Sequence, residues 1–279
     1  MKMRINLLTI TGVLLLNACS FGNSTTAAPA QIPAIEVSPT SQPVLTTPMP
    51  VVSTEVPPTS VPKPVIKLET RIIEEDQVSP PVHITIEYPY MLEPANDNVF
   101  NREIKSLIDD QIAFIKNEAV DVEAWRSKEQ PEFSSGLTIK YEVGLIDKGY
   151  TSVRMGISPF VAGAAHPNFF FLTVNYDLVH GKLLKLSDLF IPGSFYISKL
   201  STYCKNDLIK QNLQSFFPEG VLPNETNFAN WNFSNEGLVI LFDPYQVGPW
   251  AIGPQKVVVP YSELKSIALP SGPLEDFIK

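Results

Sequence analysis

Ten of the chain's 26 prolines fall between Ser20 and Ile66, a stretch whose charged residues are Glu36, Glu55 and Lys63. Each proline fixes φ and removes a backbone donor, so the stretch cannot build hydrogen-bonded ladders. Its other residues are mainly Ser, Thr, Ala and Val, which bury too little surface to offset the entropy of folding. It is expected to be an extended, partly polyproline-II tether, with an upper reach of roughly 140 Å at ~3.1 Å per residue. Any folded core is thereby confined to the part of the chain from Lys67 onward. That part holds about 210 residues, enough for one large core or two small, tightly associated subdomains.

The tether follows a different kind of segment. Lys2 and Arg4 precede a mostly apolar run from Ile5 to Leu16, interrupted by Asn6, Thr9 and Thr11. The run has the length of a signal-peptide core and falls short of the ~20 residues a transmembrane helix needs. It ends in Leu16-Asn17-Ala18-Cys19, which resembles the lipobox of bacterial lipoproteins. The resemblance implies cleavage after residue 18 and acylation of the Cys19 thiol, so that the protein is held on the extracytoplasmic face of a membrane by lipid. Each buried methylene contributes about 0.8 kcal/mol, and two chains on one residue anchor stably.

Charge and cysteine count narrow the function classes. The full chain carries a net charge of −8; without residues 1–18 it has 19 basic against 29 acidic residues. An acidic surface argues against nucleic acid and against electrostatic docking on anionic lipid, and suits a basic partner. With Cys19 lipidated, Cys204 has no partner in the chain. Ile197, Leu200, Cys204 and Leu208 recur at spacings of three and four, so Cys204 is expected on the apolar stripe of a helix over 195–213, as a small buried hydrophobe.

From Lys67 the pattern is one of hairpins. Strands are expected over 67–76 and 82–90, a helix over 96–124 capped by Asn96 or Asp97 with Ile104, Ile108, Ile112, Ile115 and Ala119 on one face, and a strand over 136–146. In that strand Leu137, Ile139, Tyr141, Val143 and Leu145 alternate with Thr138, Lys140, Glu142 and Gly144. The Asp147-Lys148-Gly149 turn leads to a return strand carrying Val153, Met155 and Ile157. Residues 168–178 are apolar on both faces and read as a central strand covered on both sides. Hairpin strands follow around the Asn235-Glu236-Gly237 turn, then a strand at 256–259 and a short helix over 261–269. The pattern predicts an α+β fold, with antiparallel sheet built from hairpins and two main helices packed on it.

Two blocks of this region resemble a known family. One is Ala162-Gly163-Ala164-Ala165-His166-Pro167-Asn168-Phe169 with Asn175-Tyr176-Asp177 and Leu186-Ser187-Asp188-Leu189-Phe190. The other runs from Phe242-Asp243-Pro244-Tyr245 through Gly248-Pro249-Trp250 to Tyr261-Ser262-Glu263-Leu264. They look like the domain of unknown function in the extracellular region of the anti-sigma factor RsiV, which also occurs beside the deacetylase PdaC. Together with the N-terminal segments read above, the resemblance implies five parts: a signal peptide (1–18), the lipidated Cys and tether (19–66), a PdaC-like segment (67–150), an RsiV-like C-terminal domain (151–270) and a tail (271–279). It also implies a non-catalytic binding fold, which in RsiV receives lysozyme. The chain is expected to lack the sigma-binding, membrane-spanning and deacetylase parts, so neither signalling nor catalysis carries over.

The residues themselves offer little catalytic chemistry. No Gly-x-Ser-x-Gly elbow is present, and His83, His166 and His180 have no metal-ligand spacing. No cofactor or metal is expected. His166, in a Gly/Ala-rich turn, reads either as a ligand contact or as an imidazole pinning that turn. Tyr245 and Trp250, in a Pro/Gly-punctuated loop, suit protein interfaces and sugar stacking alike. His166, Asn168, Tyr176, Asp177, Asp243, Tyr245 and Trp250 are the candidate contacts. The expected partner is a cationic wall-degrading protein such as lysozyme; the alternatives are a cell-wall glycan, bound or weakly hydrolysed, and a purely structural envelope role. Replacing Cys19→Ser is expected to move the protein from the membrane fraction to the soluble one and to abolish labelling by palmitate. Unchanged fractionation would refute the lipid anchor.

Overall fold

The computed structural model describes residues 66–92, 98–125, 133–211, 213 and 215–278. The signal segment, Cys19 and the tether up to residue 65 lie outside them, as do Asn96 and Asp97, the expected helix caps.

Alternating apolar residues shape a first sheet of six strands in the order β1-β2-β3-β4-β5-β6. These are β1 (Leu68–Val78), β2 (Pro81–Met91), β3 (Ser135–Asp147), β4 (Tyr150–Phe160), β5 (Phe170–Asp177) and β6 (Lys182–Leu183). Between β2 and β3 runs α1 (Val99–Trp125). Asn98 caps it, its side chain accepting from the Asn101 N–H at 2.8 Å. The Asn101 amide in turn exchanges two hydrogen bonds with the Met91 backbone, tying the helix start to the end of β2. Hairpins join the other neighbours, but β2 and β3 pair in parallel, a departure from the all-antiparallel expectation. The cause is α1, which carries the chain back along the sheet so that β3 starts at the same end as β2.

One face of this sheet is apolar and packs on α1. Ile84, Ile86, Leu137, Ile139, Val153, Met155 and Ile157 meet Phe100, Ile104, Ile108 and Ile115, all buried. Ile112, expected on the same stripe, is half-buried at its margin. The sheet is continuous across residue 150, where the β3–β4 hairpin turns.

The rest of the chain builds a second core. It contains α2 (Tyr196–Lys210), a three-stranded antiparallel sheet of β7 (Trp231–Phe233), β8 (Gly237–Phe242) and β9 (Gln255–Pro260), and α3 (Tyr261–Leu264). Leu200, Cys204 and Leu208 of α2 are fully buried against this sheet's Phe233, Ile240 and Val257. The spacing of three and four predicts this stripe; Cys204 is a free, buried thiol whose pKa burial pushes up, away from the reactive thiolate. The Leu186–Leu189 turn is closed by the Lys185 N–H donating to the Asp188 carboxylate at 3.0 Å.

A small polar knot joins the two cores. Ser152 and Asn175 face each other across β4 and β5, in alternation with Val153 and Val174, which face α1. The Ser152 hydroxyl donates to Asn175 Oδ1 at 2.5 Å and accepts from the Phe233 N–H at 2.9 Å. Asn175 Nδ2 donates to the Trp231 carbonyl at 2.8 Å. Asn232 Nδ2 reaches the Ser152 hydroxyl and the Val153 carbonyl, both at 3.0 Å. All three side chains are buried.

Close approach of β7 requires Gly144, where an added Cβ would stand 2.8 Å from the Phe233 carbonyl. The strand bulges between Val143 and Leu145 at this point. The bulge turns Leu145 into the second core, while Val143, before it, stays paired with Val153 and is 45% exposed. The expectation that Leu145 shares a face with Leu137 fails because a bulge breaks the two-residue period after Val143. The double coverage expected of β5 holds for Val174–Asp177, which are buried, whereas Phe170–Thr173 are half-buried. Asn175→Ala strips an acceptor from Ser152 and a donor from Trp231, so it should cost roughly 2–4 kcal/mol. Urea unfolding should show a lower midpoint with an unchanged slope; a loss below about 0.5 kcal/mol would deny the knot its role.

Candidate functional site

Beyond the knot, the two sheets diverge and two loops face each other. The first links β4 to β5. Its Ala162 N–H donates to Ser135 Oγ at 3.0 Å, and its Asn168 N–H donates back to the Pro159 carbonyl at 2.8 Å. The loop therefore folds onto the end of β4 and presents His166 outward. His166 Nδ1 donates to the Pro167 carbonyl at 2.8 Å.

The second loop follows β8. Gln246 organises it: its Oε1 accepts from the Asp243 N–H at 3.1 Å, and its Nε2 donates to the Gly220 and Asn227 carbonyls. Tyr245 holds the left-handed conformation at φ 68°, a strained choice for an aromatic residue that turns its side chain out to 58% exposure. Trp250 opens a single 3-10 turn, Trp250–Ile252.

The loops meet through their rings. His166 stacks on Trp250 with centroids 4.5 Å apart and planes 26° from parallel, and the Tyr245 ring lies 5.7 Å from Trp250, tilted by 38°. Asp243 fixes the spacing of the row. Its carboxylate accepts from the Phe171 N–H at 2.8 Å, pinning the second loop to β5. Burial raises the pKa of this carboxyl, and the Phe171 hydrogen bond opposes the rise.

Between the loops lies a cleft of about 470 Å³ walled by His166, Pro167, Asn168, Trp250 and Pro254. It continues into a second cleft of about 310 Å³ over the outer face of β3 and β4. Ser158 and Phe169 line both. The Phe169 ring lies on this face because position 156 is glycine: a Cβ there would stand 3.1 Å from the ring. Thr138, Lys140 and Arg154 line the second cleft, and Arg154 pairs with Glu142 across the strands.

The fold thus brings His166, Asn168 and Trp250 to one cleft, with Tyr245 in ring contact with Trp250 and Asp243 bonded to Phe171 beside it. Tyr176 and Asp177 lie elsewhere. Tyr176 points to the α1 face and packs on Phe100 with centroids 6.0 Å apart. Asp177 lies roughly 20 Å along β5 from Phe171 at ~3.3 Å per residue. Its buried carboxylate accepts from the Val179 and His180 N–H groups and pairs with the His180 ring at 2.7 Å. The Asn-Tyr-Asp motif is therefore read out as sheet docking, core packing and turn closure in turn. Phe169, Lys140 and Arg154 did not stand out in the sequence. Their signal was the polar face of the 136–146 strand opposite glycine-bearing β4. Among the described residues, no three His, Cys, Asp or Glu side chains converge as a metal site would need.

Residues 187–262 match the family described as "Protein of unknown function (DUF3298)". The match takes in α2, the β7–β9 sheet and the Tyr245–Trp250 loop, and leaves out the first sheet and His166. Over 168 residues the chain is 24% identical to the peptidoglycan-N-acetylmuramic acid deacetylase PdaC of Bacillus subtilis, covering 59% of this chain and 35% of that protein. It is 27% identical over 108 residues to the immunogenic protein MPT64 of Mycobacterium tuberculosis, covering 38% of this chain and 47% of the relative. The chain thus spans between a third and a half of the curated relatives it matches. A crystal structure of a DUF3298-family protein from Bacteroides fragilis has the same fold, with a TM-score of 0.58 at 17% identity over 78% of this chain and 98% of that one.

The raised pKa of Asp243 sets a pH signature. A folded-state pKa above the unfolded one contributes stability below the unfolded carboxylate range, lost as pH rises through the folded value. Asp243→Asn keeps an acceptor for Phe171 and removes the titration. Thermal melts from about pH 3 to 7 should show the variant gaining on the native chain as pH rises; a constant difference would contradict the assignment.

Proposed function

We propose that this chain is a lipid-anchored envelope protein whose folded part is a non-catalytic binding module, and that its ligand enters the groove between the His166 and Trp250 loops. The observation that carries the reading is the stacked pair His166–Trp250 on a cleft that Ser158 and Phe169 also line, with the exposed Tyr245 ring in contact with Trp250. Aromatic faces beside hydroxyl groups suit the alternating apolar faces and polar edges of sugar rings. The size of the site points the same way. Clefts of about 310 and 470 Å³ fall in the range that encloses a small ligand, whereas a stable protein interface covers about 800 Å² per partner. PdaC, by its name, acts on peptidoglycan. Cell-wall glycan is therefore the ligand class this groove favours, and the tether of residues 19–66 would give the module reach into the wall.

A cationic wall-degrading protein such as lysozyme is the second reading, favoured by the net charge of −8. A purely structural envelope role leaves the exposed aromatic row without a purpose. Calorimetry with the full chain separates these readings. Soluble peptidoglycan fragments should bind, and Trp250→Ala and Tyr245→Ala should each weaken binding about tenfold, the loss of roughly 1.4 kcal/mol of ring contact. The fragments should be recovered with unchanged mass. Salt-sensitive binding to lysozyme without fragment binding would favour the second reading, and cleaved fragments would overturn the non-catalytic assignment.

A further inference from the structure

We infer that the groove is selective for an acidic glycan, reading a carboxylate on the sugar chain through Lys140 while the sugar rings lie on the aromatic row. This deepens the glycan reading above and rests on it. The second cleft opens directly from the aromatic cleft, since Ser158 and Phe169 belong to both. From Ser158 the outer face runs through Gly156 to Arg154 on β4, with Thr138, Lys140 and Glu142 opposite them on β3. At ~3.3 Å per residue, Arg154 lies roughly 13 Å from Ser158 along the strand, a distance an oligosaccharide spans.

The charges along this face are unequal. Arg154 is held by Glu142, its side chain 18% exposed, while Glu142 is 69% exposed. Lys140, on the same face, is exposed and has no ion pair among the described residues. The cleft therefore carries one uncompensated positive charge, in a chain whose net charge is −8. Beside it the Thr138 hydroxyl lines the wall. Phe169 provides an apolar platform next to the cation, and meets Phe171 edge-on at 5.1 Å. A bound chain with a carboxylate on one ring satisfies Lys140 and stacks its neighbouring ring at the Trp250 end. In a wall polymer that carboxylate comes either from the acidic amino sugar itself or from its attached peptide.

Calorimetry on the full chain with four probes tests this. They are peptide-free glycan fragments with the sugar carboxylate, the same fragments methyl-esterified, a neutral chitin oligomer of equal length, and the free stem peptide. The acidic fragment should bind about fivefold more tightly than the ester and the chitin oligomer, as expected of one exposed ion pair. Lys140→Ala should abolish that preference, so that acid and ester bind alike, and Lys140→Arg should keep it. The preference should shrink as salt rises. Equal binding of acid and ester, or a preference that survives Lys140→Ala, overturns the charge selectivity and leaves the glycan groove standing. Tighter binding of the free peptide than of any glycan overturns the sugar assignment, and failure of all four probes overturns both readings.

Discussion

The hydrogen-bonded knot of Ser152, Asn175 and Asn232 is the constraint on which the arrangement of this protein depends. Each core would bury its own apolar face without it, the first sheet against α1 and the second against α2. Apolar contact alone is non-directional and would allow the two cores to slide. The knot specifies one register, because the Ser152 hydroxyl meets both Asn175 and the Phe233 N–H, and buried polar groups are costly when left unmade. Gly144 makes the approach sterically possible, and the bulge beside it sends Leu145 across to seal the joint.

The groove is a consequence of that register. With β7 fixed over the buried half of β5, the loop after β8 reaches only the half-buried half, where Asp243 takes the Phe171 N–H. That bond occupies an edge group of β5 that would otherwise invite strand pairing. It also sets Trp250 at stacking distance from His166, which belongs to the first sheet's own loop. The site is thus shared between residues 187–262, which match the DUF3298 family and carry Tyr245 and Trp250, and the preceding residues, which carry His166, Phe169 and Lys140.

Much of this was legible in the residues. The period of two in 136–146, the three-and-four spacing through Cys204, and the turn at 235–237 predict the strands, helix and hairpin that the structure contains. Less visible were features that depend on contacts distant in sequence. The parallel β2–β3 pair depends on which way α1 returns the chain, and Leu145 leaves the first core because of a bulge at Gly144, against which β7 packs some 90 residues later. Tyr176 and Asp177 looked chemical because they are polar and adjacent. Successive strand residues point to opposite faces, which sends one to the α1 core and the other to a turn. Ser152 and Asn232 were hidden for the opposite reason: single small polar residues in apolar strands carry no local signal of partnership.

The central claim is that the space between the two loops, made by docking one core on the other, is where this protein meets its ligand. Titrating soluble peptidoglycan fragments into the isotopically labelled full chain and following its amide and indole signals by NMR tests this most directly. The account predicts the largest shifts at the Trp250 indole and at the backbone of Gly156, Phe169 and Tyr245, with the α1 face undisturbed. Shifts centred on α1 and the β1–β2 hairpin, with the Trp250 indole unmoved, would contradict it.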